Sequence, residues 1–216
     1  MGHKAVLLLA ALSLAFAARA GAQDMARGKE LFAMCEHCHG DHAQGNQVAL
    51  APSIAGLPAW YIETQIHKFK DSERAGHFDD IAGMRMRGMA KWLKTDEDLK
   101  SVAGYIAGMA PVKDMTIQGG DATKGAALYA PCSGCHGING EGMQAVGAPP
   151  LAHTSDWYLR TQIKNYQQRI RGGDPRDIQG TAMVPMSQIL VDEQAISDVL
   201  AHIATLKGAA PSGNSE

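Results

Sequence analysis

Polar and apolar residues follow a helical period along this chain, and the same order of segments occurs twice. Three amphipathic segments are predicted in each half, namely 26–34, 59–71 and 95–109 in the first half and 123–130, 156–169 and 192–206 in the second. In one of them Tyr61, Gln65 and Phe69 fall at i, i+4 and i+8, which is a single helical face. No alternating strand pattern occurs, so the predicted fold class is all-α.

A shift of 97 residues aligns the two halves without a gap. The aligned pairs include Cys35 with Cys132, Cys38 with Cys135, His39 with His136, Pro52 with Pro149, Trp60 with Trp157 and Leu93 with Leu190. Such a series in one register indicates a tandem duplication. The predicted organisation is a signal peptide at 1–22, domains at 24–110 and 121–208, a linker at 111–120 and a flexible tail at 209–216.

The N-terminus has the pattern of a secretory signal. Lys4 gives a basic start, and an apolar run over 5–18 is followed by small residues in two A-x-A patterns. The run is too short to span a bilayer comfortably, so we expect cleavage near Ala22. The mature protein is then expected in the periplasm, with at most peripheral association with a membrane.

Composition limits the classes of partner. The chain has 216 residues and a net charge of −2, and 6% of its residues are aromatic. Removal of the signal peptide leaves 18 basic and 22 acidic residues. A nucleic-acid-binding protein needs a concentrated basic surface, so that class is excluded. The low aromatic content indicates a lean side-chain core, to which a bound apolar cofactor would add.

Two motifs carry the chemistry. The segments 35–39 and 132–136 are both C-x-x-C-H, at equivalent places of the repeat. Two thiols three residues apart form thioethers with the two vinyl groups of a haem, and the following histidine binds the iron. Cys35, Cys38, Cys132 and Cys135 are therefore the predicted attachment sites of two haem c groups, and His39 and His136 are predicted iron ligands.

Other uses of the same cysteines are less consistent with the pattern. A thioredoxin-like C-x-x-C needs a βαβ context, which the sequence lacks. A Cys₄ zinc site would place the pairs closer together and would not account for the repeated histidine. A disulfide within each motif would not account for it either.

The sixth iron ligand is sought in an irregular segment that follows the second helix of each copy. Met84 is excluded because its counterpart is Thr181, whereas the aligned methionine pairs remain open alternatives, namely Met86 with Met183 and Met89 with Met186. No histidine other than His39 and His136 has a histidine as its counterpart in the other copy, which applies to His37, His42, His67, His77, His153 and His202. Two methionine ligands therefore fit best.

At these residues the sequence resembles the cytochrome c4 family of two-domain, two-haem cytochromes. The resemblance covers about 24–207, and its carriers are the segment 28–35, both C-x-x-C-H-G motifs and the segment 86–93. In that family the ligand is the methionine seven residues before the leucine that opens the last helix. The resemblance therefore selects Met86 and Met183, and it implies two tandem class I cytochrome c-like domains that face one another with haem propionates near their interface.

The resemblance implies a function as well. The expected protein is an electron carrier rather than an enzyme, which accepts electrons from a quinol-oxidising complex or a dehydrogenase and delivers them to a terminal oxidase or reductase. The alternatives are a cytochrome subunit of a larger oxidoreductase, or a dihaem enzyme such as a peroxidase or thiosulfate dehydrogenase. An enzyme would need an exchangeable or unusual ligand on one haem, and all four cysteines are already used in attachment.

Three packing expectations accompany this reading. Gly28 and Gly125 would let the first and last helices of each copy cross closely. Tyr105 is expected at that crossing in the first copy, although its counterpart is His202. The charged loop segments 79–80 and 169–171 are expected to be solvated surface.

Overall fold

The fold is described by a computed structural model for residues 24–112 and 119–208. This part of the chain contains eight α-helices and one short 3₁₀ helix, and its only extended pairing is two isolated β-bridges, so the all-α prediction is confirmed. The helices are α1 (24–39), α2 (Ala59–Lys70), α3 (Ile81–Trp92), α4 (Asp96–Ala107), α5 (Ala122–His136), α6 (Asp156–Gln167), α7 (Ile178–Ser187) and α8 (Glu193–Thr205), with the 3₁₀ helix at Gln144–Val146.

The predicted signal peptide and tail, and most of the predicted linker, lie outside the described residues. Within the described residues, no helix has the length and apolar character that crossing a membrane requires.

The first and last helices of each copy cross at a glycine. A Cβ atom on Gly28 of α1 would come within 2.2 Å of the Ser101 carbonyl oxygen on α4. The same atom on Gly125 of α5 would come within 1.9 Å of the Asp198 carbonyl oxygen on α8. Both distances are far below van der Waals contact, so only glycine permits this approach, as expected from the sequence.

An aromatic pair closes each crossing. Phe32 and Tyr105 have ring centroids 5.6 Å apart, and Tyr129 and His202 have ring centroids 5.3 Å apart. His202 thus takes the place that Tyr105 has in the first copy. The two copies use the same packing geometry with different ring types, within the distance range of favourable ring pairs.

Each copy has its own apolar core, which its four helices surround. The buried set of the first copy includes Leu31, Phe32, Ile66, Phe69, Leu99, Val102 and Ile106. That of the second includes Tyr129, Leu159, Leu190, Ile196, Val199, Leu200 and Ile203. The second set is the smaller of the two.

The methionine-bearing segments are helical, which corrects the prediction that they are irregular. Asp80 caps α3 by accepting a hydrogen bond from the Gly83 amide, and Asp177 caps α7 by accepting one from the Gly180 amide, both at 2.9 Å. A capping carboxylate satisfies an N–H group that a helix start leaves free, and its charge favours the helix dipole. The caps therefore stabilise helices in segments that contain glycines and, in α7, Pro185.

The two copies meet through polar side chains. Lys68 of α2 donates hydrogen bonds to Asp177 at 2.5 Å and to Gln179 at 2.6 Å, across the boundary between the copies. Only 9% of the Lys68 side chain and 2% of the Asp177 side chain are exposed to solvent. The two copies therefore pack against each other with a buried ion pair between them.

Candidate haem-binding sites

The cysteine motifs occupy the last turns of α1 and α5. The first cysteine of each, Cys35 and Cys132, is half-buried and packs against the core of its own copy. The second, Cys38 and Cys135, is exposed. Residues three apart on a helix point to neighbouring positions on one side, so both thiols of a motif can reach one edge of a flat ring system. All four thiols are free of disulfide bonds.

The electrostatics of the thiols do not suit a redox-active dithiol. Burial, with smaller contributions from Cys38 and Glu36, raises the pKa of the Cys35 thiol to about 11. Burial also raises the pKa of the Cys132 thiol. Dithiol oxidoreductases depend on a lowered thiol pKa that supplies thiolate at neutral pH. The Cys35 and Cys132 thiols are therefore protonated at neutral pH, which argues against dithiol redox chemistry and is consistent with thioether attachment.

Each motif histidine is held by a proline carbonyl. The Nδ1 of His39 lies 2.8 Å from the Pro52 carbonyl oxygen, and the Nδ1 of His136 lies 2.8 Å from that of Pro149. Both rings are buried, with 9% and 6% of the residue exposed. The 97-residue shift relates the two prolines, but the role of their carbonyl groups is a finding of the structure that the sequence did not predict.

This contact fixes the chemistry of the rings. Because a carbonyl oxygen can only accept, Nδ1 must carry the proton and Nε2 must carry the lone pair in the neutral ring. Burial lowers the pKa of His39 and of His136 below the ordinary value, although each hydrogen bond acts in the opposite direction. Both rings are therefore neutral at pH 7 and present a free Nε2, which is the state that binds iron.

The methionines differ in how they are placed. Met86 of α3 is half-buried and packs against the same core as Cys35. Met89 is 37% exposed, on the outer part of the helix. In the second copy both Met183 and Met186 of α7 are half-buried. Burial thus favours Met86 over Met89 in the first copy and does not separate the two candidates in the second.

A pseudo-symmetric arginine pair lies where the copies meet. Arg74 donates to Gln65 of its own copy at 2.9 Å and to Tyr158 of the other copy at 2.6 Å. Arg171 donates to Gln162 of its own copy at 2.8 Å and to Gln65 of the other copy at 3.0 Å. The 97-residue shift relates Arg74 to Arg171 and Gln65 to Gln162. The two guanidinium groups therefore share one hydrogen-bonded cluster that links the copies.

Among the described residues, no carboxylate forms an ion pair with Arg74 or Arg171. The two residues are 7% and 8% exposed, each guanidinium lies over a ring at about 4.5 to 4.9 Å, and their side-chain partners are neutral amides and a phenol. Within the described residues, the Nε atoms of Arg74 and Arg171 are buried and have no hydrogen-bond partner. A buried charge is costly unless an opposite charge or hydrogen bonds compensate it. The pair therefore fits a carboxylate-bearing group, and each haem carries two propionates.

Two residues expected on solvated loops are buried. Asp80 is 7% exposed because it caps α3, and Arg171 is 8% exposed because it belongs to the arginine cluster. The expectation of a solvated face is therefore wrong for both. The sequence contained a signal of this role, because Arg74 and Arg171 are identical at equivalent positions of the repeat. Solvated surface residues do not have to be the same in two copies.

Comparison with known proteins agrees with two haem-binding copies. The family model described as "Cytochrome c" matches residues 25–110 and 122–207. The chain is 31% identical to "Cytochrome c4" of Pseudomonas aeruginosa over 84% of this chain and 90% of that protein. It is 29% identical to a "Thiosulfate dehydrogenase electron acceptor" of Stutzerimonas stutzeri over 78% of each chain.

A solved structure has the same fold. The crystal structure of reduced recombinant cytochrome c4 from Pseudomonas stutzeri matches with a TM-score of 0.66 and 23% sequence identity. The match covers 85% of this chain and 98% of that chain. It therefore includes both copies of the repeat.

Proposed function

This chain belongs to the cytochrome c family and within it to the cytochrome c4 proteins, and from that premise we propose that it is a periplasmic carrier that shuttles electrons between redox proteins. It carries two covalently attached haem c groups, one for each C-x-x-C-H motif. The proposed haem domains are 24–110 and 121–208, after cleavage of a signal peptide near Ala22.

The proposed ligands follow the repeat. Cys35 and Cys38 attach the first haem, and His39 and Met86 bind its iron. The equivalent set for the second haem is Cys132, Cys135, His136 and Met183. When bound, each haem supplies an iron that alternates between the ferrous and ferric states.

The observation that carries this proposal is the duplicated contact between a buried neutral histidine and a proline carbonyl. The Pro52 and Pro149 carbonyls orient His39 and His136, so that neither ring reorganises when charge arrives or leaves. A thioether ligand favours the reduced state, and an apolar wall raises the potential further because it disfavours the more highly charged state. These features suit a carrier, which must change charge with little rearrangement.

The arginine cluster supports the assignment. Arg74 and Arg171 offer two buried positive charges and two unpartnered Nε–H donors at the boundary between the copies. We propose that they neutralise haem propionates there. One charged cluster would then contact both haem groups and hold the two domains in a fixed relation.

The proposed partners are a quinol-oxidising complex or a dehydrogenase as donor and a terminal oxidase or reductase as acceptor. The Stutzerimonas stutzeri relative is named as an electron acceptor of thiosulfate dehydrogenase. A periplasmic dehydrogenase is therefore the donor class that a relative supports. The same name is consistent with a second candidate function, in which this chain is the cytochrome subunit of such a dehydrogenase.

A potentiometric titration followed by optical and paramagnetic spectra tests the ligand set on the holoprotein. Replacing Met86 or Met183 with Ala should abolish the methionine–iron band of one haem, whereas replacing Met89 or Met186 should leave both haems low-spin. The proposal fails if the mass of the exported chain lacks two haem groups, or if the native protein has a high-spin ferric haem and turns over peroxide rapidly.

A further inference from the structure

The two copies differ in charge on the helix that bears the proposed methionine ligand. The segment 81–94 carries four basic residues and no acidic one, whereas its counterpart 178–191 carries no charged residue. The basic residues are Arg85, Arg87, Lys91 and Lys94, and their counterparts are Ala182, Val184, Gln188 and Val191. We call this set of four the α3 basic face, in which Arg87, Lys91 and Lys94 fall at i, i+4 and i+7 on one side of the helix and of the segment that continues it, and Arg85 lies on the opposite side.

The charges of the α3 basic face are available to a partner. Arg85, Lys91 and Lys94 are exposed and Arg87 is half-buried. Among the residues that the structure describes, none of the four forms an ion pair with a carboxylate. Arg85 instead donates to the Ala49 carbonyl at 3.3 Å, and Lys94 donates to the Lys91 carbonyl at 3.0 Å. The face thus presents uncompensated positive charge to solvent.

The position of the face connects it with electron transfer. It belongs to the helix that carries Met86, and Arg85 reaches the loop that leads to Pro52, whose carbonyl holds His39. A partner seated on it would approach the first haem across a single helix. The face also opposes the net charge of the chain, which is −2. Local charge of this kind steers encounter with an oppositely charged surface and raises the association rate.

We propose that the α3 basic face docks an acidic redox protein, which makes the N-terminal domain the port for that partner. The inference rests on the proposed carrier function and adds the charge of the partner and the domain that it meets. The equivalent segment 178–191 of the C-terminal domain lacks these four charges, so it does not steer the same partner. The two copies therefore differ in surface charge at equivalent places of the repeat.

Anionic lipid is the other surface that would attract four basic residues, and an acidic protein is favoured over it. A helix that lies in a membrane interface needs a wide apolar stripe directed outward. The apolar side chains exposed on α3 are Ile81 at 54%, Met89 at 37% and Trp92 at 42%, and the basic Arg85 lies between the first two of them. Charge without a broad apolar stripe suits a transient protein encounter.

The test uses plant plastocyanin, an acidic blue-copper protein, as the oxidant of the reduced holoprotein in stopped flow. The test variant replaces all four residues of the face with Gln. The matched control replaces four exposed lysines elsewhere with Gln, namely Lys29, Lys100, Lys124 and Lys207. Both variants have the same net charge, so a difference between them reports the location of the charge and not its amount.

We expect the test variant to lower the second-order rate constant at low salt by roughly tenfold or more, and the control to lower it much less. The difference should vanish at about 0.5 M salt, where the Debye length falls to a few ångströms. Equal losses in the two variants would overturn the proposal, as would a test variant that keeps the salt dependence of the native protein.

A second measurement locates the contact. Hexacyanochromate(III), a paramagnetic anion, should broaden nuclear magnetic resonances of the N-terminal domain selectively, and the test variant should lose that broadening. Equal broadening of both domains would contradict the assignment of the port.

A third measurement separates the lipid alternative. Sedimentation with phosphatidylglycerol vesicles that depends on the face, while plastocyanin kinetics do not, would replace the protein partner with a membrane. Native protein that exchanges electrons with neither plastocyanin nor a small anionic oxidant would instead refute the carrier function itself.

Discussion

The buried ion pair between the two copies gives the sharpest stability prediction. The perturbation is Lys68→Met, which keeps the length of the apolar stem and removes the charge. Asp177 would be left with 2% of its side chain exposed and, among the hydrogen bonds of the described residues, only the Gly180 amide as a donor. Breaking a buried pair by removing one partner costs about 3–5 kcal/mol, because the remaining charge is uncompensated.

The expected consequence is large enough to measure without ambiguity. For a chain of this size, a loss of about 3–5 kcal/mol lowers Tm by roughly 6–20 °C. The assay is thermal and urea unfolding of the oxidised holoprotein, followed by far-ultraviolet circular dichroism. Lys100→Met, which removes an exposed lysine from α4, is the matched control and should change stability by less than about 0.5 kcal/mol.

A double-mutant cycle identifies the cause. Asp177→Asn keeps an oxygen that can cap α7 and leaves Lys68 as the unpaired charge. If the pair is buried in the holoprotein, the double variant Lys68→Met with Asp177→Asn should be more stable than the sum of the single losses predicts, by at least about 1 kcal/mol. Additive losses, or a cost of Lys68→Met below about 1 kcal/mol, would show that solvent reaches the pair and would refute the reasoning.

The remaining predictions concern the histidines, the helix crossing and the arginine cluster. Burial holds the pKa of His39 and of His136 below the ordinary value, and an iron bound at Nε2 would also oppose protonation of these rings in the holoprotein. The unfolded chain therefore binds more protons at acidic pH, so the stability that these two groups contribute is present well above about pH 6.5 and is lost as the pH falls, seen as a lower urea midpoint at pH 5 than at pH 7.5. An unchanged or higher midpoint at pH 5 would contradict this sign. Gly125→Ala should destabilise by about 1–3 kcal/mol or more in urea unfolding because its Cβ would meet a backbone oxygen, whereas Gly104→Ala, with nothing within 4 Å of its Cβ, should be neutral or slightly stabilising. Arg74→Gln should lower a haem midpoint potential by tens of millivolts, since a removed positive charge no longer favours the reduced state, and an unchanged titration curve would separate the arginine cluster from the haems.

Local and repeated features were predictable from the sequence. The 97-residue register identified both motifs, and glycines at equivalent places predicted the close crossings found at Gly28 and Gly125. The second and last helices of each copy were placed to within about two residues, because their signals are amphipathic spacing and acidic starts. These features depend on residues near one another in sequence or on an exact repeat.

Features that depend on helix caps or on contact between the copies were not predictable. Asp80 and Arg171 belong to charged loops that resemble solvated surface, and their burial arises from a cap and from packing against the other copy. The prediction that the methionine segments are irregular is wrong, although their glycines and Pro185 are poor helix formers. The caps and the surrounding packing outweigh these propensities, which a single sequence does not reveal.

The pattern of identity between the copies separates two kinds of position. Arg74 and Arg171 are identical and face the partner copy, as Gln65 and Gln162 do, so the inner surface is nearly symmetric. The inner surface departs from this symmetry at Lys68, which pairs with Asp177 and is replaced by Asn165 in the second copy. On the outer surface, the α3 basic face has no counterpart on α7. Charge near an iron shifts its potential, and charge on a surface selects its partner. The surface between the copies is therefore nearly symmetric and the outer surface is not, so the two similar haem sites lie in unlike electrostatic surroundings. Such a difference would provide a physical basis for the direction of electron flow through the molecule.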